Sequence, residues 1–198
     1  MTEFELIYNS FMGFMEKSEN YAQVDDELIN EYKGIFMDYK DDTDIIIEIW
    51  KKYGFCTYKN GLFTLLNPKE YNEIARNFSS VSDKAEVFAR TATGCLFLWE
   101  EYNFGKNIAF LNVHTGEKNI ISTSFNVLIE WSLSASNYWI DDCYGKIEFE
   151  VMDKFKHISY DKCAGYSLAL VLGGKENMEN MELFDFNTHL QLLSQLHS

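Results

Sequence analysis

Apolar residues recur along the start of the chain at helical spacing. Phe4, Ile7, Tyr8, Phe11, Phe14 and Met15 share one stripe while Glu3, Glu5 and Glu16 stay off it, which predicts an amphipathic helix over about residues 3–17. A second helix is predicted from Asp25 to about Phe36, followed by an acidic loop carrying Asp38, Asp41, Asp42 and Asp44. The loop's carboxylates precede Ile45-Ile46-Ile47-Glu48-Ile49-Trp50-Lys51-Lys52-Tyr53, where they would meet the positive end of a helix dipole. Two lysines in that helix's last turn and Gly54 placed for a left-handed cap mark its end. Asn60-Gly61 is a turn signal before a strand at Leu62 to Leu66. Asn67-Pro68-Lys69-Glu70 then combines a capping side chain, a proline at the first helical position and a capping-box acid, predicting a helix from Pro68 to about Phe78.

Four short runs follow at Glu86 to Thr91, Cys95 to Glu101, Asn107 to Val113 and Lys118 to Thr123. They are punctuated by Gly94, by Asn103 with Gly105, and by Thr115-Gly116, as in an antiparallel meander. Helical spacing returns from Phe125 to about Ala135. After a mixed segment, Ser167 to Leu172 reads as a short apolar strand closed by Gly173-Gly174, and Leu183 to Leu196 as a terminal helix. No internal repeat appears. The expected fold class is α+β, a central and mostly antiparallel sheet flanked by helices, with helical N- and C-terminal ends.

Composition adds that this pattern can build a core. Apolar residues make up 46% of the 198, with 16 Phe, 12 Tyr and 4 Trp, which a disordered acidic chain would lack. The single proline, Pro68, rules out Pro-rich linkers. Charge changes the picture more. A net of −14 argues against a broad grip on nucleic acid, which needs surplus cations, and favours cationic partners. The first fifty residues hold thirteen acids against three lysines, a net of −10, so the acidity belongs to the N-terminal quarter. No apolar run is long enough for a membrane span, and the first residues lack the basic and apolar regions of a signal peptide. Cys56, Cys95, Cys143 and Cys163 are far apart, as expected of reduced, buried thiols. The chain is therefore expected to be cytoplasmic.

Motifs for chemistry fail on inspection. Around Gly174-Lys175 a phosphate-binding loop would need glycine and a hydroxyl where Ala169 and Glu176 stand. Gly165-Tyr166-Ser167-Leu168-Ala169 approximates a nucleophile elbow, but an apolar strand rather than a helix is expected after it. His114, His157, His189 and His197 form no compact ligand set, and Asp185 with His189 supplies only two donors. The acid pairs Asp25-Asp26, Asp41-Asp42, Glu100-Glu101 and Asp141-Asp142 point in divergent directions on any regular element, so solvated faces are expected rather than acid–base dyads. The aromatic runs Tyr53 to Tyr58 and Phe97 to Trp99 lack interleaved cations and read as core. No enzyme, cofactor or metal is expected.

Ile49-Trp50-Lys51-Lys52-Tyr53-Gly54-Phe55, then Tyr58-Lys59-Asn60-Gly61-Leu62-Phe63, then Asn67-Pro68-Lys69-Glu70-Tyr71 together resemble the GAD-like domain of bacterial immunity proteins. Ala89-Arg90-Thr91-Ala92-Thr93-Gly94 with Leu96-Phe97-Leu98-Trp99 continues the resemblance, with Thr93 where that family has Phe. Tyr160-Asp161-Lys162-Cys163-Ala164-Gly165-Tyr166, Leu168 to Gly174 and His189-Leu190-Gln191-Leu192-Leu193 resemble the C-terminal domain of immunity proteins for type VI secretion DNase effectors, with Ser167 near the place of an absent proline. The resemblance implies a GAD-like domain with an N-terminal helix over 1–124 and an immunity-type domain over 125–198, packed as one globular unit. It implies a non-catalytic bacterial immunity protein that binds and neutralises a cognate protein toxin, a nuclease effector, without touching nucleic acid or membrane. The acids Asp25, Asp26, Glu27, Asp38, Asp41, Asp42 and Asp44 are the candidate toxin contacts, because a nuclease presents cations around its channel; ordinary solubilising charge is the competing account of them. Two other readings stand beside this one: a small-molecule-binding or regulatory α+β module built on the aromatic core, and an enzyme using Ser167 or a metal at Asp185 and His189.

Overall fold

The computed structural model describes residues 3–14, 17–36, 44–102, 105–129 and 146–198. Helix α1 (Glu3–Phe14) opens the chain and buries Ile7 and Phe11. Strand β1 (Lys17–Ala22) leads to α2 (Asp26–Ile35), whose cap is the Asp25 carboxylate accepting from the Leu28 N–H at 2.7 Å. Helix α3 (Asp44–Tyr53) stops at Gly54, which takes the expected left-handed backbone at φ 70°. Strands β2 (Phe55–Tyr58) and β3 (Phe63–Leu65) flank a tight turn at Lys59–Gly61. Helix α4 (Pro68–Ala75) starts as its sequence signal predicts, with Asn67 accepting from the Lys69 N–H. Then come β4 (Glu86–Thr91), β5 (Leu96–Tyr102), β6 (Gly105–Asn112) and β7 (Glu117–Ser122), which with β1 to β3 form one antiparallel sheet in chain order. The fold is the expected α+β class, with helical ends.

Alternation along β5 organises the core. Phe97 and Trp99 lie on one face of that strand and Leu96, Leu98 and Glu100 on the other. Trp99 stacks on Phe125 at 4.8 Å between ring centres, approaches Phe36 at 6.2 Å, and donates its Nε1–H to the Ile35 carbonyl. Those partners place α2, α3 and the short α5 (Phe125–Val127) on that side. The aromatic runs are core, as expected. Glu100 departs from the expected solvated face. It is fully buried, receives the Ser82 N–H, and pairs with Lys118 at 2.7 Å, whereas its neighbour Glu101 is exposed.

The C-terminal part adds α6 (Ile147–Phe155), a hairpin of β8 (Lys162–Tyr166) and β9 (Met181–Asp185), and α7 (Phe186–Leu196). Two expectations are corrected here. Ser167 to Leu172 is not a strand: it is a bend and a single 3-10 turn at Leu170–Leu172, closed by Gly173 at φ 91°. Nor is Leu183 to Leu196 one helix. It breaks at Asp185, whose carboxylate caps α7 through Thr188. The helix expected from Phe125 is described only to Ile129, and its continuation, like Cys143, lies outside the described residues.

Candidate functional site

Buried polar contacts join the C-terminal part to the sheet. Arg90 of β4 has no exposure, and its guanidinium donates to the carbonyls of Thr91, Ser159 and Tyr160 at 2.9–3.0 Å while lying 4.8 Å from the Phe186 ring centre. Ala164 donates its N–H to Ala92 O, and Ile158 to Asn60 O. Gly61, at φ 106°, lies so close to the Ile158 carbonyl that a Cβ would meet it at 2.1 Å. The Tyr160 and Tyr21 rings stack 3.8 Å apart. Tyr160, Cys163, Phe186, Leu190 and Leu193 thus belong to the same apolar cluster as the sheet's aromatics.

Beside this junction lies a cavity of about 320 Å³, lined by Thr93, Asn112, His114, Lys146, Glu148 and Tyr166 among others. The Glu148 carboxylate accepts from the Thr93 N–H at 3.0 Å and from its hydroxyl at 2.5 Å. Burial pushes its pKa up to about 7, against the downward pull of those bonds and of Arg90. His114 sits across the cavity with Nε2 3.0 Å from Thr93 O; a carbonyl only accepts, so that nitrogen carries the proton. Burial, with His189 nearby, lowers the His114 pKa to about 4. The arrangement brings the titration of a buried acid up to the neutral range and keeps the His114 imidazole neutral there. Burial raises the thiols of Cys95 and Cys163 to about 12 and that of Cys56 to about 11, so these three are buried structural thiols, as expected.

On the outer side of the hairpin a second cleft of about 270 Å³ is open to solvent. Phe184, stacked on His189 at 4.7 Å, forms part of its floor, and Leu168, Leu172 and Leu192 its walls, 49%, 60% and 50% exposed. Asp185 and Thr188 lie at one end. Helix α7 explains the placement. Its buried stripe is Phe186, His189, Leu190, Leu193 and Ser194, which leaves Leu192 off the core face. His189 fits only because residue 165 is glycine; a Cβ there would stand 2.2 Å from His189 Nε2.

The candidate acids are spread differently. Asp25, Asp26 and Glu27 are exposed at the start of α2, where Asp25 acts as the cap. Asp44 is the first residue of α3, and Asp38, Asp41 and Asp42 lie outside the described residues. Asp185 and His189 are not a ligand pair, since the acid caps α7 and the ring is buried over Gly165. Ser167 is exposed and hydrogen-bonded through its N–H to Asn180 O. Among the described residues no group of three or more His, Cys, Asp or Glu could hold a metal ion, and no helix is long and apolar enough to cross a membrane. Sequence reasoning missed Glu148, in a segment without periodicity, and the exposed leucines, which resembled a buried strand.

Residues 6–114, which span α1 to the end of β6, match the family model of the GAD-like domain. The chain belongs to the GAD-like family. This GAD-like chain also matches, over residues 131–197, the family model of the C-terminal domain of the T6SS immunity protein Tdi1, a stretch that includes α6, the hairpin and α7. No curated protein matches it. Among solved structures, the crystal structure of Atu4351 from Agrobacterium tumefaciens superposes with a TM-score of 0.73 at 15% identity, covering 95% of this chain and 88% of that one; at this identity the likeness is one of fold. The open cleft falls within the immunity-type match, and the Thr93–Glu148 contact links the two matched stretches.

Proposed function

We propose that this chain is a non-catalytic cytoplasmic immunity protein that binds a secreted nuclease toxin delivered by type VI secretion and blocks it. The immunity-type match over residues 131–197 carries the reading. The net charge of −14 supports the nuclease as target, because a nuclease active site that binds phosphates presents cations, and opposite fields speed encounter. In this reading residues 1–124 form the GAD-like unit and 125–198 the immunity-type unit. Asp25, Asp26 and Glu27, with Asp38, Asp41, Asp42 and Asp44, act as a steering surface rather than as the main source of affinity. The test is co-purification with the toxin encoded by the adjacent gene, followed by a DNA-cleavage assay. Stoichiometric binding with loss of cleavage is expected; a toxin that neither binds nor loses activity would sink the proposal.

A second reading has one observation behind it. The polar cavity between Thr93, His114, Lys146 and Glu148 has the size of a small-molecule site, which a regulatory module would need. Native mass spectrometry of the purified chain separates the two, since a ligand retained in that cavity would shift the mass.

A further inference from the structure

The leucines of the 168–172 turn are held in water by the backbone around them. Asn180 donates from Nδ2 to the carbonyls of Leu168 and Lys175 and accepts the Leu168 N–H at Oδ1. Leu172, Gly173 and Gly174 donate back to Ala169, Leu170 and Ala169 in turn. Gly174 is packed so tightly that a Cβ would lie 1.8 Å from Leu168 O. A turn fixed this thoroughly, displaying Leu168, Val171 and Leu172 half exposed, has lost its conformational freedom before any partner arrives. Three adjoining leucines around a cleft are also more apolar surface in one place than scattered surface residues account for.

We propose that this cleft, with the Leu168–Leu172 turn as its lip, is the surface that grips the toxin, and that it takes a protein segment carrying aliphatic side chains flanked by lysine or arginine. The proposal rests on the immunity reading above and names the site that reading leaves open. Apolar walls call for aliphatic side chains on the partner. The rim calls for cations. Residues 166–192 carry Glu176, Glu179, Glu182 and Asp185 against Lys175, a net of −3 that Lys154 and Lys162 beside them reduce and leave negative. Glu182 is exposed on the same face of β9 as Phe184, a residue of the cleft two positions away. Asp185 keeps its charge at the cleft's end, because the Thr188 N–H and hydroxyl both donate to its carboxylate and hold its pKa below the usual range. The same acids disfavour the other occupants. An anionic membrane surface is repelled, and a second copy would bring another chain of net charge −14 against this one.

The experiment measures binding of the full chain to the catalytically inactivated toxin of the adjacent gene by calorimetry and by stopped-flow kinetics, with Leu172→Ser combined with Leu192→Ser, with Glu182→Lys, and with Asp25→Asn, Asp26→Asn and Glu27→Gln together. The leucine pair should weaken binding by more than about tenfold, as truncation of interface anchors does, with an unchanged melting temperature. Glu182→Lys should lower the association rate several-fold at low salt and less at high salt. The N-terminal variant, which removes steering charge, should slow association at low salt and leave the dissociation rate unchanged, whereas the leucine pair should speed dissociation. If wild type binds and the leucine pair binds equally well, the cleft is overturned while the immunity reading stands. If wild type does not bind, the immunity reading fails and this site fails with it. A wild-type dimer that the leucine pair dissolves would also overturn the proposal, by assigning the cleft to self-association.

Discussion

Phe88, Phe97 and Phe125 on and over the sheet are withdrawn from water completely or nearly so, whereas Leu168, Leu172 and Leu192 in the C-terminal part keep about half of their surface exposed. The two regions differ in what they can bury against. Strands β2 to β5 are buried along nearly their whole length, and helices pack against the sheet, so nearly every aromatic there finds a neighbour. The C-terminal hairpin has two strands and its own apolar cluster of Ala92, Val151, Ile158, Ala164, Tyr166 and Met181, too little to shelter everything around it. It is held instead by hydrogen bonds to the sheet, chiefly through Arg90, and by the shared stripe of α7. A unit fastened by buried polar contacts is free to leave an apolar face open for another protein.

The comparison breaks first at Arg90. Arg90→Ala removes three charge-assisted hydrogen bonds and leaves space beside Phe186, so a loss of about 3–5 kcal/mol in urea unfolding is expected. Arg90→Lys should recover little, because one ammonium cannot span the same three acceptors. A loss below about 1 kcal/mol would mean that apolar packing, not this arginine, fastens the C-terminal part. Next is Gly165. Its alanine variant drives a methyl into His189, and about 2–4 kcal/mol should be lost; His189→Ala opens room for that methyl, so the double variant should lose clearly less than the sum of the two singles. Additive losses would show that the ring is not what makes glycine necessary there.

The polar cavity sharpens the contrast through pH. Burial lowers His114 and His189 to about 4 from the ordinary 6.5, so between those values the unfolded chain takes up protons that the folded chain refuses. Their stabilisation is complete above about pH 6.5 and is lost as pH falls toward 4. Glu148 acts in the opposite sense: raised to about 7 from 4.5, it keeps its proton in the folded chain where the unfolded chain has released it, so its share of stability falls as pH rises through that window. Two histidines oppose one acid. Stability should therefore drop on acidification from pH 6.5 to 4.5, by up to about 1.4 kcal/mol per pH unit from these three groups. In Glu148→Gln the opposing slope disappears and the drop should steepen. Unfolding free energies measured every half pH unit for both proteins would show it, and an unchanged slope in the variant would remove Glu148 from the account.

Much of the sheet was legible in the sequence because period and punctuation agreed. Gly94, Gly105 and Gly116 all have positive φ between the meander strands, and Asn67-Pro68 starts α4 as its residues require. Strand β1 was not legible, since Lys-Ser-Glu-Asn-Tyr-Ala has no apolar alternation; it is an exposed edge strand made by pairing with β2 rather than by its own preference. The apolar run at 167–172 misled because an apolar hexamer bounded by glycines suits a buried strand equally well. In β9 the helical period ran on through Leu183 and hid the break, although Asp185 followed by Thr188 is a recognisable cap. The candidate cleft was illegible for the same reason as the turn: its leucines are the residues whose apolar character predicted burial, and only the tertiary contacts of Asn180 and Gly174 show why they stay outside.

The smallest expected effect tests the comparison most directly. A leucine in a core costs several kcal/mol when truncated, from lost transfer energy and the cavity left behind. At 60% exposure Leu172 has already lost most of that gain, and water fills whatever its removal leaves. Leu172→Ser should therefore change unfolding free energy by no more than about 0.5 kcal/mol, the ordinary range for a surface position. Phe97→Ala, which empties a fully buried site on β5, should cost about 3–5 kcal/mol in the same assay. If the leucine proves as costly as the phenylalanine, the 168–172 turn is part of the fold's stability and cannot be a face kept for a partner. A near-zero value beside a large one separates side chains that hold the molecule together from side chains that the molecule holds out.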